Sequence, residues 1–309
     1  MRVDDLLTIA DGPIHVELLP AVGGRLHRLR VFGHDLLRTP DDPAEQARDP
    51  FRWGAYVMAP WCNRIEAGPT EVNGNLVDVP SNFPDGTAIH GQVYAARWEV
   101  EPDGSLSTTG GGGDGWPWPY RCALRVTVTD SVLKVVESLT NLSDTPMPGG
   151  LGLHPWFRRP LGLRVNAEAV LSSNLDPDAS FEPVSSSLDL RAIGPVPADV
   201  DATWLAAGDP AAELQWPEVG ISAVLRVQSD AGVCICVASP SSLDAVAVEP
   251  QTNAPHGLRR FLRREPGALS VIQPGGTMRL MIGLAFESTQ PGTALLDMHT
   301  TLAARLAPG

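Results

Sequence analysis

Lysine is nearly missing from this 309-residue chain, which has Lys134 and no other. Arginine carries almost all of the positive charge, and the formal net charge is −13. Binding to nucleic acid or to an anionic membrane depends on Lys and Arg neutralising phosphates, so both partner classes are disfavoured. The lysine scarcity itself reads as a sequence bias without functional meaning. Long apolar runs are absent as well, and none approaches a bilayer span. The segment Met1 to Leu7 lacks the basic region and apolar stretch of a signal peptide, so a cytoplasmic location is expected. Cysteine is scarce: Cys62, Cys122, Cys234 and Cys236 are all there are. In a cytoplasmic protein they are expected to be thiols. Cys234-Ile235-Cys236 lacks the second pair that a metal site needs, so it reads as small buried residues on a strand. Helical patterning is sparse too. Residues 41–48 suit a short helix, and Leu295, Leu302 and Leu306 give a weak apolar spacing for a packing tail.

The chain does have turns and alternation. Thirty glycines and 29 prolines favour many turns over long helices. Ile14, Val16 and Leu18 alternate with His15 and Glu17. The same period of two runs through Trp98 and Val100, Cys122 to Val128, Ile221 to Val227, and Met278 to Phe286. Such alternation means strands with one buried and one wet face. Asn73-Gly74, Pro84-Asp85-Gly86 and Pro274-Gly275-Gly276 mark turns between them. Many short strands without interleaved helices predict an all-β protein built as a large antiparallel sandwich or barrel. With no internal repeat or linker, one domain over residues 1–309 is the simplest account.

Five stretches carry candidate chemistry. In Gly149-Gly150-Leu151-Gly152-Leu153-His154-Pro155-Trp156-Phe157, glycines allow close approach and Pro155 restricts His154 to an extended conformation. Trp156 and Phe157 offer a flat apolar wall. A histidine so presented suits proton transfer near neutral pH; a buried core histidine is the plain alternative. Asn63-Arg64 sits among apolar neighbours, where an arginine needs a carboxylate or polar ligand for its donors. His90 precedes Gly91 and is a possible partner for His154. Asp199 and Asp201 lie in a loop-like context near Trp204; Asp201 is the choice for ligand contact, with solvation or capping as the alternative. The apolar run Ala245–Val248 ends in Glu249, where Pro250 is expected to stop a central strand. A partly desolvated carboxylate at that point is a better base.

Taken together, these stretches resemble the aldose 1-epimerase (galactose mutarotase-like) family. The matching pieces are Asn63-Arg64-Ile65, Ile89-His90-Gly91, Gly152 to Phe157, and Glu249-Pro250-Gln251-Thr252, in the family's order. The resemblance implies a β-supersandwich with a sugar cleft, a small-molecule sugar as partner, no metal and no organic cofactor; a monomer or homodimer is expected, and the sequence does not choose between them. It implies that Glu249 takes the proton of the sugar's C1 hydroxyl. His154 would protonate the ring oxygen, with His90 hydrogen-bonding nearby. It also implies that Arg64, Asn63, Asp201, Trp156 and Gln251 bind the sugar.

Other functions fit parts of the same pattern. Pro255 to Arg264 is more basic than the resemblance leads one to expect. A solvated helical face is the favoured reading, and a phosphate contact, as in a hexose-phosphate 1-epimerase, is the other. A carbohydrate-binding or sensor protein of the same fold without catalysis is a further alternative. So is a metal-dependent enzyme using His90, His154 and Glu249 as ligands.

Overall fold

A computed structural model of the chain describes residues 5–113, 115–206 and 208–289. Among them, two large antiparallel sheets dominate, one of eleven strands and one of nine. The larger sheet is centred on Ala55–Met58, Gly152–Arg158, Ala245–Gln251, Cys234–Ala238 and Asp201–Ala206, in that spatial order. The other runs through its longest strands in the order Tyr120–Thr129, Val132–Asn141, Thr277–Ser288 and Ile221–Ser229. Between the sheets lies one apolar core, to which Leu153, Phe157, Val246 and Val248 contribute from the first and Leu124, Val135, Leu139 and Ile282 from the second.

The predicted alternation is realised. Tyr120–Thr129 buries Cys122, Leu124 and Val126 and exposes Arg121, Arg125 and Thr127. The central strands of the larger sheet behave differently, because both of their faces are covered. Tyr56, Met58, Cys62, Trp156, Ala245 and Ala247 form a second cluster on the face away from the core. That double burial explains the unbroken apolar run Ala245–Val248, since a strand covered on both sides has no wet face to mark with polar residues.

Several expectations are corrected. Pro250 does not end its strand. Ala245–Gln251 continues through it as a central strand, paired on both sides. The register toward Gly152–Arg158 is defined at Gly152↔Gln251 and again at Trp156↔Ala247, with a gap between. Pro155 and Pro250 lie on the facing strands within that gap, and neither has an N–H to give to a ladder. Phe157 does not share a wall with Trp156: adjacent strand residues face opposite ways, so Phe157 enters the core. Asp201 opens the strand Asp201–Ala206 rather than sitting in a loop. Helix is confined to Glu45–Arg48, Gly257–Arg263 and a short 3-10 turn at Ser186–Leu188 among the described residues. The Leu295, Leu302 and Leu306 spacing lies outside the described residues.

In the Gly257–Arg263 helix the arginines do not share one face. Arg260 is buried, donating to the carbonyls of Pro255, Ala179 and Pro266. Arg259 and Arg263 both pair with Asp178.

Candidate active site

One transverse row of the larger sheet supplies the centre of the site. Tyr56 stands opposite His154, Glu249 opposite Cys236, and Cys236 opposite Thr203. The register bracketing the proline gap sets His154 opposite Glu249. Five neighbouring strands thus each contribute one residue to the row. The pleat points all five to the side away from the core.

His154 Nε2 lies 3.2 Å from Glu249 Oε1, and both side chains are almost wholly buried. The Tyr56 ring stacks on the imidazole with centroids 4.5 Å apart, and Trp156 lies against it at 4.9 Å. Trp156 is fixed in turn by its Nε1–H donating to the Phe51 carbonyl at 2.6 Å. Glu249 Oε2 and His154 Nδ1 have no hydrogen-bond partner among the described residues. Buried polar atoms of this kind call for a ligand or water to satisfy them.

His90 arrives from outside the row. Asn63 and His90 hold each other: the Asn63 N–H donates to His90 Nδ1 at 3.3 Å, and the His90 N–H donates to the Asn63 carbonyl at 3.0 Å. Both have left-handed backbone conformations, with φ of 56° and 62°. Non-glycine residues adopt this region at a cost, and such strain clusters at functional positions. The bond to Nδ1 leaves the ring's proton on Nε2 when His90 is neutral, so His90 presents a donor. Its ring meets that of His154 edge-on, with centroids 5.0 Å apart.

Arg64 completes the polar wall. Its Nε donates to Asp85 Oδ2 at 2.7 Å and its Nη1 to Asn63 Oδ1 at 3.2 Å, with Asp201 Oδ2 3.7 Å away. Asp201 Oδ1 accepts from Asn174 Nδ2 at 2.6 Å. The guanidinium sits over Phe83, which meets Phe51 edge-on. Arg64, Asn63, Asp201 and Phe83 line a cavity of about 600 Å³ with Glu249, His154, His90, Tyr56 and Trp156, whereas Asp85, Asn174 and Cys236 are not part of its lining. Asp199 lines it too, but its carboxylate is engaged by the Ser241 N–H, whereas Asp201 reaches Arg64.

Burial shapes the electrostatics. Taking Glu249 out of water pushes its carboxyl well above the usual range, and Asp201 adds to the rise; Cys236 and Arg64 oppose it. Burial lowers His154 to about 3, and Arg25 contributes. His90 is held well below its ordinary value by burial, then by His154 and Arg64. Burial therefore favours a proton on Glu249 and neutral imidazoles.

Of the residues singled out from the sequence, Glu249, His154, His90, Arg64, Asn63, Asp201 and Trp156 all line this cavity. Gln251 does not. It is buried one step further along its strand, where its side chain packs beside Gly152 and both amide atoms lack partners among the described residues. Sequence reasoning missed Tyr56, Asp85, Asn174 and Cys236. The turn at Pro84-Asp85-Gly86 was visible, but nothing in it announced that Asp85 would meet Arg64.

By type, His90, His154 and Glu249 also suit a divalent metal, and their ligand atoms lie within 4.8 Å of one another.

The family model for aldose 1-epimerase matches residues 5–257. The chain belongs to the aldose 1-epimerase family. It is 24% identical over 245 residues to the uncharacterized protein YphB of Escherichia coli K12, covering 75% of this chain and 83% of that protein. Among solved structures it is similar to a galactose mutarotase-like protein from Clostridium acetobutylicum, with a TM-score of 0.79 at 17% identity over 92% and 95% of the two chains. It is also similar to the GalM/aldose epimerase homologue from C. elegans, with a TM-score of 0.78 at 19% identity over 92% and 99%. At these identities the structural likenesses speak for the fold: the large antiparallel β-supersandwich shared by galactose mutarotase-like proteins.

Proposed function

We propose that this protein is an aldose 1-epimerase, interconverting the α and β anomers of a free aldose. The observation that carries the reading is the buried His154–Glu249 pair, 3.2 Å apart on the wall of the cavity. The C1 hydroxyl and the ring oxygen of a pyranose sit on the same carbon. Opening the ring therefore needs a base and an acid side by side.

In the ring-opening step Glu249 takes the C1 hydroxyl proton, the C1–O5 bond breaks, C1 becomes a carbonyl, and O5 takes a proton from His154. Rotation about C1–C2 presents the other carbonyl face. Closure then reverses the proton movements. The pair holds one proton throughout. Before opening it reads as carboxylate with imidazolium, and after opening as carboxylic acid with imidazole. Burial favours the second state, which is the state that accompanies the open-chain aldehyde. Arg64 and the arriving hydroxyls favour the first. General acid and base groups each contribute about 10²- to 10⁴-fold, enough to outpace the spontaneous reaction. His90 donates near the ring oxygen, Arg64, Asn63 and Asp201 hold hydroxyls, and Trp156 supplies a rigid apolar wall.

The charges of the cavity support a neutral sugar over a phosphorylated one. Asp49, Asp199 and Asp201 line it against Arg52 and Arg64. Arg52 is paired with Asp49, and Arg64 with Asp85 and Asp201. The arginines of the Gly257–Arg263 helix are not part of the lining, and they are occupied by Asp178 and by backbone carbonyls.

Polarimetry of freshly dissolved α-D-glucose and α-D-galactose tests the reading, with hexose 6-phosphates as competitors. Faster approach to equilibrium than in buffer alone, without competition by phosphates, is expected. Activity on phosphates only would move the assignment to a hexose-phosphate 1-epimerase. Sugar binding without acceleration would make the protein a non-catalytic carbohydrate binder. Chelation is expected to leave the rate unchanged; a loss restored by zinc would replace the acid–base pair with a metal site.

A further inference from the structure

Cys236 lies in the catalytic row without a role in the reaction above. It stands directly across the ladder from Glu249, is fully buried, and faces the same side of the sheet. Its sulfur accepts from two amides, Asn174 Nδ2 at 3.3 Å and Asn63 Nδ2 at 3.6 Å. A thiol has one proton to give. With amide donors approaching the sulfur, that proton is left for the neighbour across the ladder.

These contacts close on themselves. Arg64 Nη1 donates to Asn63 Oδ1, and Asn63 Nδ2 to Cys236 Sγ. Asn174 Nδ2 donates to both Cys236 Sγ and Asp201 Oδ1, and Asp201 Oδ2 returns to Arg64. Thr203 fixes Asn174 by donating to its Oδ1 at 2.8 Å. Asn174 is itself fully buried, so the ring is a built feature of the interior.

We propose that Cys236 is a positioning residue for Glu249, closing a ring of side chains through which Arg64 and Asp201 hold the base in register with His154. This rests on the mutarotase reading, because it gives Arg64 and Asp201 the task of meeting sugar hydroxyls. A hydroxyl that engages Arg64 or Asp201 then shifts Asn63 and Asn174, and with them the thiol beside the base.

The groups facing Glu249 come from every neighbouring element. They are His154 and Tyr56 from the two strands on one side, Cys236 and Asp201 from those on the other, and Arg64, Cys62 and His90 from the segments above. Cys236 and Arg64 favour the carboxylate form, while Asp201 opposes it. Removing the thiol donor therefore raises the pH at which the pair gives up its proton.

The test compares Cys236→Ala and Cys236→Ser with wild type. For Cys236→Ala, kcat is expected to fall roughly 10-fold, the size typical of a hydrogen bond to a charged group, with KM nearly unchanged. Its alkaline limb is expected to move to higher pH. Cys236→Ser restores a donor and is expected to recover most of both. Wild-type kcat and pH profile in Cys236→Ala would overturn the proposal. A second reading needs no turnover and no altered cysteine in the sample of interest. The S–H stretch of Cys236, assigned by infrared difference against Cys236→Ser, is expected to shift in Glu249→Gln. An unmoved band overturns the proposal. A shifted band in a protein that accelerates no aldose keeps Cys236 beside Glu249 and overturns the mutarotase reading instead.

Discussion

Two carboxyls in this molecule are equally buried and differ in what surrounds them. Glu249 faces a cavity from the larger sheet. Glu137 projects from Val132–Asn141 in the other sheet, among Leu133, Val135 and Leu139. Burial pushes both well above the ordinary range, and for Glu137 burial is the only cause. Both Glu137 oxygens lack partners among the described residues, whereas Glu249 has His154, Cys236 and Asp201 around it. The contrast shows that desolvation alone makes a carboxyl hard to ionise. A proton-transfer group also needs a partner to exchange the proton with and a path for a ligand to reach it.

The comparison breaks most visibly through activity. Glu249→Gln is expected to lower kcat for anomer interconversion by about 10²- to 10⁴-fold, and His154→Asn by a similar factor, while Glu137→Gln leaves the rate as it is. Stopped polarimetry on all three variants checks this. An equal loss in Glu137→Gln would mean that the partners of Glu249 matter less than burial.

The pH profile sharpens it. In the proposed mechanism the pair works while it holds one proton. It gains a second as pH falls to about 3, where His154 is protonated beside an already protonated Glu249. It loses its only proton at the raised value of Glu249. The profile of kcat/KM is therefore expected to have its acid limb set by the histidine and its alkaline limb set by the carboxyl, displaced upward from the ordinary glutamate value. A limb near 4.5, the ordinary glutamate value, would contradict that order.

Asp201→Asn leaves Glu249 and His154 themselves unaltered but removes the carboxylate facing Arg64. It is expected to raise KM about 10-fold with a smaller change in kcat, as for loss of one charged hydrogen bond. Steady-state kinetics on two aldoses differing at one hydroxyl would show which one Asp201 meets.

The smallest effect falls on stability. A carboxyl whose folded value is raised contributes most below its unfolded value and loses that contribution as pH rises. The Glu137 contribution is thus fully present below about 4.5 and declines toward its folded value. Wild type is expected to lose Tm as pH rises above about 4.5, and Glu137→Gln to lose less of it. Parallel melting curves for the two proteins would contradict the picture of Glu137 as an unpartnered core acid.

Much of this was legible in the sequence, for a physical reason. Period-two alternation marks any strand with one wet face, so Tyr120–Thr129 and Thr277–Ser288 were plain. The site residues Asn63-Arg64, His90, His154 and Glu249 stand in short motifs whose glycines and prolines constrain the backbone locally. What the sequence hid depends on register. Cys236 and Glu249 become neighbours only when the strands Cys234–Ala238 and Ala245–Gln251 pair at one offset, and a shift of one residue would send the thiol to the other face. Asp85 meets Arg64 through a loop whose path no periodicity encodes. The error over Pro250 came from a sound rule applied to a strand whose neighbour carries Pro155 at the same gap in the ladder. Gln251 stands in the same motif as Glu249 yet is not among the residues lining the cavity, a difference the motif does not encode.

The most direct measurement is two-dimensional exchange NMR on the anomeric protons of an equilibrated aldose, with wild type, Glu249→Gln and Glu137→Gln compared at one enzyme concentration. The account predicts α–β exchange cross-peaks of equal build-up rate for wild type and Glu137→Gln, and none above the enzyme-free rate for Glu249→Gln. Cross-peaks that persist in Glu249→Gln, or that are absent with wild type, would contradict it.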